Sequence, residues 1–141
     1  MKKVFLGIFV LIFLLPSSCR VQTEYDFLLP NDEIVEISVV TLHHEDGEVI
    51  ETEVKKAEDT AAFLEEFKKI GCYVYFGDPT GVTPDETDAT VIKILYQNGE
   101  YELINYCGQA KYLEERGLVY YAGFYAFDRE AFETLIKTYS E

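Results

Sequence analysis

Two histidines, three cysteines, eleven tyrosines and many carboxylates are the groups in this 141-residue chain that could do chemistry. Both histidines sit in one run, His43-His44-Glu45-Asp46-Gly47-Glu48. Two imidazoles beside carboxylates have the ligand types of a metal site, but the spacing opposes one. Neighbours on a strand point to opposite faces, so His43 and His44 cannot grip one ion while the strand is regular. The run reads as the polar end of a hairpin. Asp78, Asp85, Glu86 and Asp88 crowd the segment GDPTGVTPDETD, residues 77–88. Oxygen-rich loops can bind calcium, yet the D-x-[DN]-x-[DN]-G spacing is missing. A loop of this length is more often functional or mobile than idle, so these four acids are candidate partner contacts.

Cys72 and Cys107 follow the early Cys19. Neither has a histidine nearby in sequence, which removes the usual activation of a catalytic thiol. Outside the cytoplasm a disulfide between them is chemically available. If 72–76 and 90–96 are antiparallel neighbours, however, Cys72 lies about four residues from Cys107. That is roughly 13 Å at about 3.3 Å per residue, beyond the disulfide reach of about 7 Å between Cα atoms. Seven tyrosines fall between 96 and 125: Tyr96, Tyr101, Tyr106, Tyr112, Tyr120, Tyr121 and Tyr125. They either fill a tryptophan-free core or form a patch suited to peptide or glycan contact, with Tyr112, Tyr120 and Tyr121 the candidates for contact. No nucleophile elbow, Walker loop, dinucleotide fingerprint or CxxC pair is present. The chain therefore reads as a non-enzyme, with no catalytic residues, no metal and no cofactor.

The elements that position these groups follow from periodicity. Val35, Ile37 and Val39 alternate with Glu36 and Ser38, the period of a half-buried strand. Asp46-Gly47 supplies a tight turn, which pairs Glu45 with Glu48, His43 with Ile50, Thr41 with Thr52 and Val39 with Val54. A helix capped by Asp59 then carries Phe63, Phe67 and Ile70 on one side and ends at Gly71. Cys72 to Phe76 reads as a short strand. Thr90 to Cys107 forms a second hairpin around Asn98-Gly99, setting Tyr96 beside Tyr101, Ile94 beside Leu103 and Ile92 beside Asn105. Leu118 to Phe127 reads as one strand bent at Gly123, and a last helix runs from Arg129 to about Tyr139 behind Asp128. Both helices open D-x-x-A-F, at Asp59 and at Asp128. That is either a duplicated hairpin-plus-helix unit or the ordinary look of capped helices. The expected fold is α+β: an antiparallel sheet of about five to six strands with two helices on one face.

The opening segment fixes where such a domain works. Lys2 and Lys3, the apolar run Val4 to Leu15, and Pro16-Ser17-Ser18-Cys19 have the layout of a secretory signal peptide with a cysteine at the exit. About a dozen apolar residues are too few for a span, which takes roughly 20. Ser17 and Ser18 suit a lipobox, while Pro16 stands where that motif carries leucine. Free secretion and an uncleaved anchor are the alternatives. The expected organisation is a signal peptide over 1–18, a tether over 19–30 after lipidated Cys19, and a single α+β domain over 31–141. Phe27, Leu28 and Leu29 of the tether are expected to dock on that domain.

Removing residues 1–18 with their two lysines takes the formal net charge from −14 to −16. Nucleic acid needs clustered Lys and Arg and is excluded as a partner. Anionic lipid should repel the domain, so acyl chains on Cys19 would supply the membrane hold. With its signal and Cys19, its two hairpins and its C-terminal YYAGFYAFDREAFETLI, the chain resembles the small uncharacterised lipoproteins of Gram-positive bacteria. The resemblance implies a lipid-anchored protein on the extracytoplasmic face of the cell membrane and brings no catalytic residues. The function expected is a non-catalytic binding or interaction module for a protein, peptide or glycan partner. The alternative is an acidic inhibitor or immunity-type protein that masks a basic enzyme or toxin.

Overall fold

The computed structural model describes residues 21–46, 48–74, 89–122 and 125–141, and of 118–122 the backbone alone. The chain runs β1 (Val21–Thr23), a 3-10 turn (Asn31–Glu33), β2 (Ile34–Glu45), β3 (Glu48–Lys56), α1 (Thr60–Lys68), β4 (Cys72–Val74) and β5 (Ala89–Tyr96). It continues with β6 (Tyr101–Ile104), β7 (Gly108–Leu113), β8 (Gly117–Ala122), β9 (Tyr125–Phe127) and α2 (Arg129–Ser140). Six strands form one antiparallel sheet in the order β3-β2-β5-β6-β7-β8. With α1 and α2 on one of its faces, this is the α+β architecture expected. A second sheet, β1-β4-β9, was not anticipated.

The helices begin as their sequences dictate. The Asp59 carboxylate accepts the Ala62 N–H at 3.0 Å, and the Asp128 carboxylate accepts the Ala131 N–H at 2.9 Å. Each helix buries its apolar stripe, Phe63, Leu64 and Phe67 from α1, Phe132 and Leu135 from α2. Phe127 packs on Phe132 with ring centroids 5.4 Å apart, stapling the entry to α2, and Phe63 meets Tyr139 at 4.7 Å, joining the helices. The capping is therefore shared, but the topology between is not. The first hairpin leads straight into α1, whereas the second continues through β7, β8 and β9 before α2.

Both hairpins depart from the expected register. In the first, Glu45 pairs with Glu48, His43 with Ile50 and Thr41 with Thr52, as the turn dictates. Val54 is then an extra residue: Val40 faces Glu53 while Val39 faces Lys55. This is a β-bulge on the outermost strand. In the second hairpin the loop has three residues, not two. Tyr96 N–H bonds the Glu100 carbonyl at 2.9 Å, Gly99 N–H bonds the Tyr96 carbonyl at 3.0 Å, and Gly99 takes φ +87°. That left-handed residue closes a type I turn with a bulge, a conformation glycine adopts without Cβ strain. Leu95 now faces Tyr101, Ile94 faces Glu102 and Ile92 faces Ile104. A one-residue slip moves every side chain of β6 to the other face.

The large sheet is buried on both sides. Ile37, Ile92, Ile94, Tyr96 and Ile104 face the helices in the main core. Val40, Leu42, Val91, Leu103 and Ala110 form a second buried cluster on the opposite face. Adjacent pairs such as Val39-Val40 and Val91-Ile92 are buried together, which explains why these strands read as apolar runs rather than clean alternations.

Three further expectations change. Residues 19–30 are not a free tether from Val21 onward. Val21–Thr23 pair with β4, Tyr25 is in the core, and Phe27, Leu28 and Leu29 pack against it as expected. Leu118 to Phe127 is two strands in two sheets. Finally, β4 is not a neighbour of β5; it lies between β1 and β9. The separation argued for Cys72 and Cys107 on that pairing therefore falls, and another geometry replaces it. Cys72 faces Phe127 across β4–β9, while the Phe127 N–H reaches the Tyr106 carbonyl on the other side. Two strand spacings of about 4.8 Å put roughly 10 Å between the cysteine backbones, still beyond a disulfide. Both thiols are free, Cys72 buried and Cys107 half-buried. Burial pushes the Cys72 thiol up to about 11. In a Cys19→Ala protein, Ellman's reagent should therefore titrate two thiols after unfolding and react natively at Cys107 well before Cys72. A mass lower by two hydrogens would contradict this.

Candidate functional site

Glu102 is the one carboxylate buried among the described residues. Sequence reasoning missed it, because a two-residue loop would have turned it away from the helices. The observed register sets it beside Ile94, in line with Tyr96 and Ile104. Taking a carboxylate out of water costs several kcal/mol unless its oxygens are satisfied. Here they are. Oε1 accepts the Tyr25 hydroxyl at 2.9 Å and meets Lys111 Nζ at 3.3 Å. Oε2 accepts the Leu28 N–H at 3.1 Å and the Tyr96 hydroxyl.

The phenols feel this carboxylate. Burial, then the Glu102 charge and hydrogen bond, raise Tyr25 well above the usual tyrosine value, and the same causes in the same order raise Tyr96. Both phenols are thereby held protonated as donors. Lys111 lies directly across β6–β7 from Glu102 and also reaches the Asp26 carbonyl at 3.4 Å. Each carboxylate oxygen meets two donors supplied by the fold. The arrangement is that of a structural anchor.

A buried amide joins the two sheets. The Gln109 side chain donates to the Tyr125 carbonyl at 2.9 Å and accepts the Tyr125 N–H at 3.3 Å, taking the place of a strand neighbour. Beside this join, Tyr25, Phe27, Phe67, Ile70, Cys72 and Phe127 line a cleft of about 290 Å³. It is largely aromatic, with Glu24 and Lys68 also on its lining.

The expected partner contacts divide. Tyr112 stacks on Tyr101 across β6–β7, with ring centroids 4.9 Å apart and planes 3° from parallel. Both are half-buried. Lys93 Nζ stands 4.4 Å over the Tyr101 ring and pairs with Glu51 at 2.6 Å. This row lies on the sheet face away from the helices. Tyr96 instead enters the main core. Tyr120 and Tyr121 occupy β8 opposite Ala110 and Gln109. Asp78, Asp85, Glu86, Asp88 and Cys19 lie outside the described residues. His43 is exposed and His44 half-buried on successive positions of β2. No group of three or more His, Cys, Asp or Glu side chains gathers as a metal site among the described residues. Nor is any helix among them long and apolar enough to cross a membrane.

Glu102→Gln puts an amide donor where four donors already converge, and should lower unfolding stability by about 3–5 kcal/mol in urea titrations. Tyr96→Phe removes one donor to a buried charged acceptor and should cost about 1.5–3 kcal/mol. Because Tyr25 and Tyr96 are raised in the folded state, the stability they contribute is complete below their unfolded value of 10.0 and declines as pH climbs beyond it. Each should add about 1.4 kcal/mol per pH unit to the alkaline loss of stability. Tyr96→Phe should remove one such increment, and an unchanged alkaline slope would contradict the network. No protein-family model, curated protein or solved structure matches this chain, so its functional reading rests on its own residues.

Proposed function

We propose that this chain is a lipid-anchored, non-catalytic binding module on the extracytoplasmic face of the cell membrane, held there through Cys19. The observation that carries the binding role is the stacked Tyr101–Tyr112 pair, with Lys93 over the Tyr101 ring, on the sheet face opposite the helices. Stacked phenol rings offer apolar area with hydroxyl rims, and a neighbouring ammonium adds a directional donor; peptides and glycans are recognised by such surfaces. The closed shell around Glu102 agrees with a framework built to hold this face rather than to react. The second reading, an acidic inhibitor or immunity-type protein that masks a basic enzyme or toxin, draws on the formal charge of −14.

Cys19→Ala should move the protein from the membrane fraction to the soluble fraction, and continued membrane binding would overturn the anchoring. In crosslinking from intact cells, Tyr112→Ala should deplete the partner that the unmodified protein captures. An unchanged crosslinking pattern would remove the tyrosine pair from the binding surface. Capture that collapses as salt is raised would favour the inhibitor reading, because steering between exposed charges is screened over about 10 Å at 0.1 M salt.

A further inference from the structure

Among the described residues, β3 is one edge of the large sheet, hydrogen-bonded to β2 on one side only. Eight of its nine residues are exposed. Of the five large hydrophobic residues exposed in the described structure, three lie on this strand: Val49 at 42%, Ile50 at 43% and Val54 at 45%. A long edge with apolar side chains is a template for another strand unless something blunts it. The bulge at Val54 blunts its C-terminal end, beside Lys55 and Lys56. Between the turn and the bulge, Glu48–Glu53 remain regular, facing Glu45 through Val40 without interruption.

Charge decides what can pair there. From Glu45 to Glu53 the chain carries Glu45, Asp46, Glu48, Glu51 and Glu53, with no Lys or Arg. A second copy set antiparallel about Ile50 would lay Glu48, Glu51 and Glu53 of both strands along one seam with no basic residue to offset them, and like charges on neighbouring strands destabilise a sheet. An extended segment bearing Lys or Arg meets the same carboxylates with opposite charge.

We infer that the Glu48–Glu53 edge of β3 is a docking site for a basic, extended segment of a protein partner, which adds to the sheet as a seventh strand. Backbone hydrogen bonds supply the affinity, and side chains on alternate positions supply the choice of sequence. Ile50 and Val49 receive apolar residues on the two faces of the sheet, while the flanking carboxylates select for positive charge. The inference rests on the reading of the chain as a protein-binding module and deepens it, naming a site distinct from the tyrosine pair.

The test uses the mature chain and three synthetic nonapeptides. The first alternates lysine with valine and threonine, the second replaces each lysine by glutamate, and the third is the first with N-methyl groups on alternate backbone nitrogens. Calorimetry should show binding of the basic peptide that weakens as salt rises, and none of the acidic one. N-methylation should weaken binding about tenfold or more, because blocked nitrogens cannot join a ladder. The exposed substitution Ile50→Lys should weaken it by a similar factor, about tenfold, through charge and lost apolar contact. Urea titration of that variant should match the unmodified protein, confirming that the strand is intact. Absence of basic-peptide binding, or equal binding of the N-methylated form, would overturn strand addition. A β3-dependent dimer in sedimentation, abolished by Ile50→Lys, would overturn the basic partner in favour of a second copy. None of these outcomes bears on release by Cys19→Ala or on crosslinking through Tyr112, so the two readings fail separately.

Discussion

The buried carboxylate of Glu102 is the interaction on which the fold most depends. Its four donors come from three separate stretches: Tyr25 and the Leu28 N–H from the segment after β1, Tyr96 from β5, and Lys111 from β7. A hydrophobic core tolerates small shifts because apolar contact has no direction. A desolvated carboxylate does not, since an oxygen left without a donor costs far more than a lost apolar contact. The network therefore fixes the register of β5, β6 and β7 and at the same time clamps residues 25–28 onto the sheet. Tyr25 carries that clamp onward, meeting Phe27, Phe67, Tyr125 and Phe127 with ring centroids between 5.0 and 6.0 Å.

This constraint explains why the small sheet exists. Once residues 25–28 are held, β1 has little freedom but to lie beside β4, and β4 in turn meets β9 through Cys72 and Phe127. Gln109 completes the connection by offering its amide to Tyr125 from β7. The two sheets thus share one core, bounded by polar groups that satisfy one another. The opposite face of the large sheet has its own apolar cluster, with Tyr101 packed at its border. The tyrosine pair therefore stands on a rigid base, which suits a recognition surface because little side-chain entropy remains to be lost on binding.

Much of this was legible in the sequence, and the misses share a cause. Asp59 and Asp128 announced both helices because capping is local chemistry. Val35 to Val39 and the Asp46-Gly47 turn gave the first hairpin, since alternation and turn type are local too. Asn98-Gly99 misled by one residue: the same dipeptide serves a two-residue loop or a three-residue loop with a bulge, and the choice depends on what the slip buries. Here the slip buries Ile104 with Glu102, which is favourable only because Tyr25, lying 77 residues away, supplies a donor. No pattern within β6 carries that information. The small sheet was missed for the same reason, as strands of three residues have too little periodicity to read. The signal that existed was a lone glutamate inside Tyr101-Glu102-Leu103-Ile104, flanked by apolar residues and within pairing distance of tyrosines.

The clamp also bears on how the proposed anchor would act. β1 is described from Val21, two positions after Cys19. Two residue steps span at most about 7 Å even when fully extended, far too little for a stalk. A lipid on Cys19 would hold the acidic domain against a surface whose anionic headgroups repel it. Burial of acyl chains, at about 0.8 kcal/mol per CH₂, exceeds that repulsion, and two chains make the hold durable. The repulsion would instead act on orientation. It would turn the acid-rich Glu45–Glu53 hairpin away from the bilayer, toward whatever basic surface approaches from outside. Under the proposed anchoring, lipid and charge would then act on different coordinates: the lipid would set the distance, and the charge which side of the domain is offered.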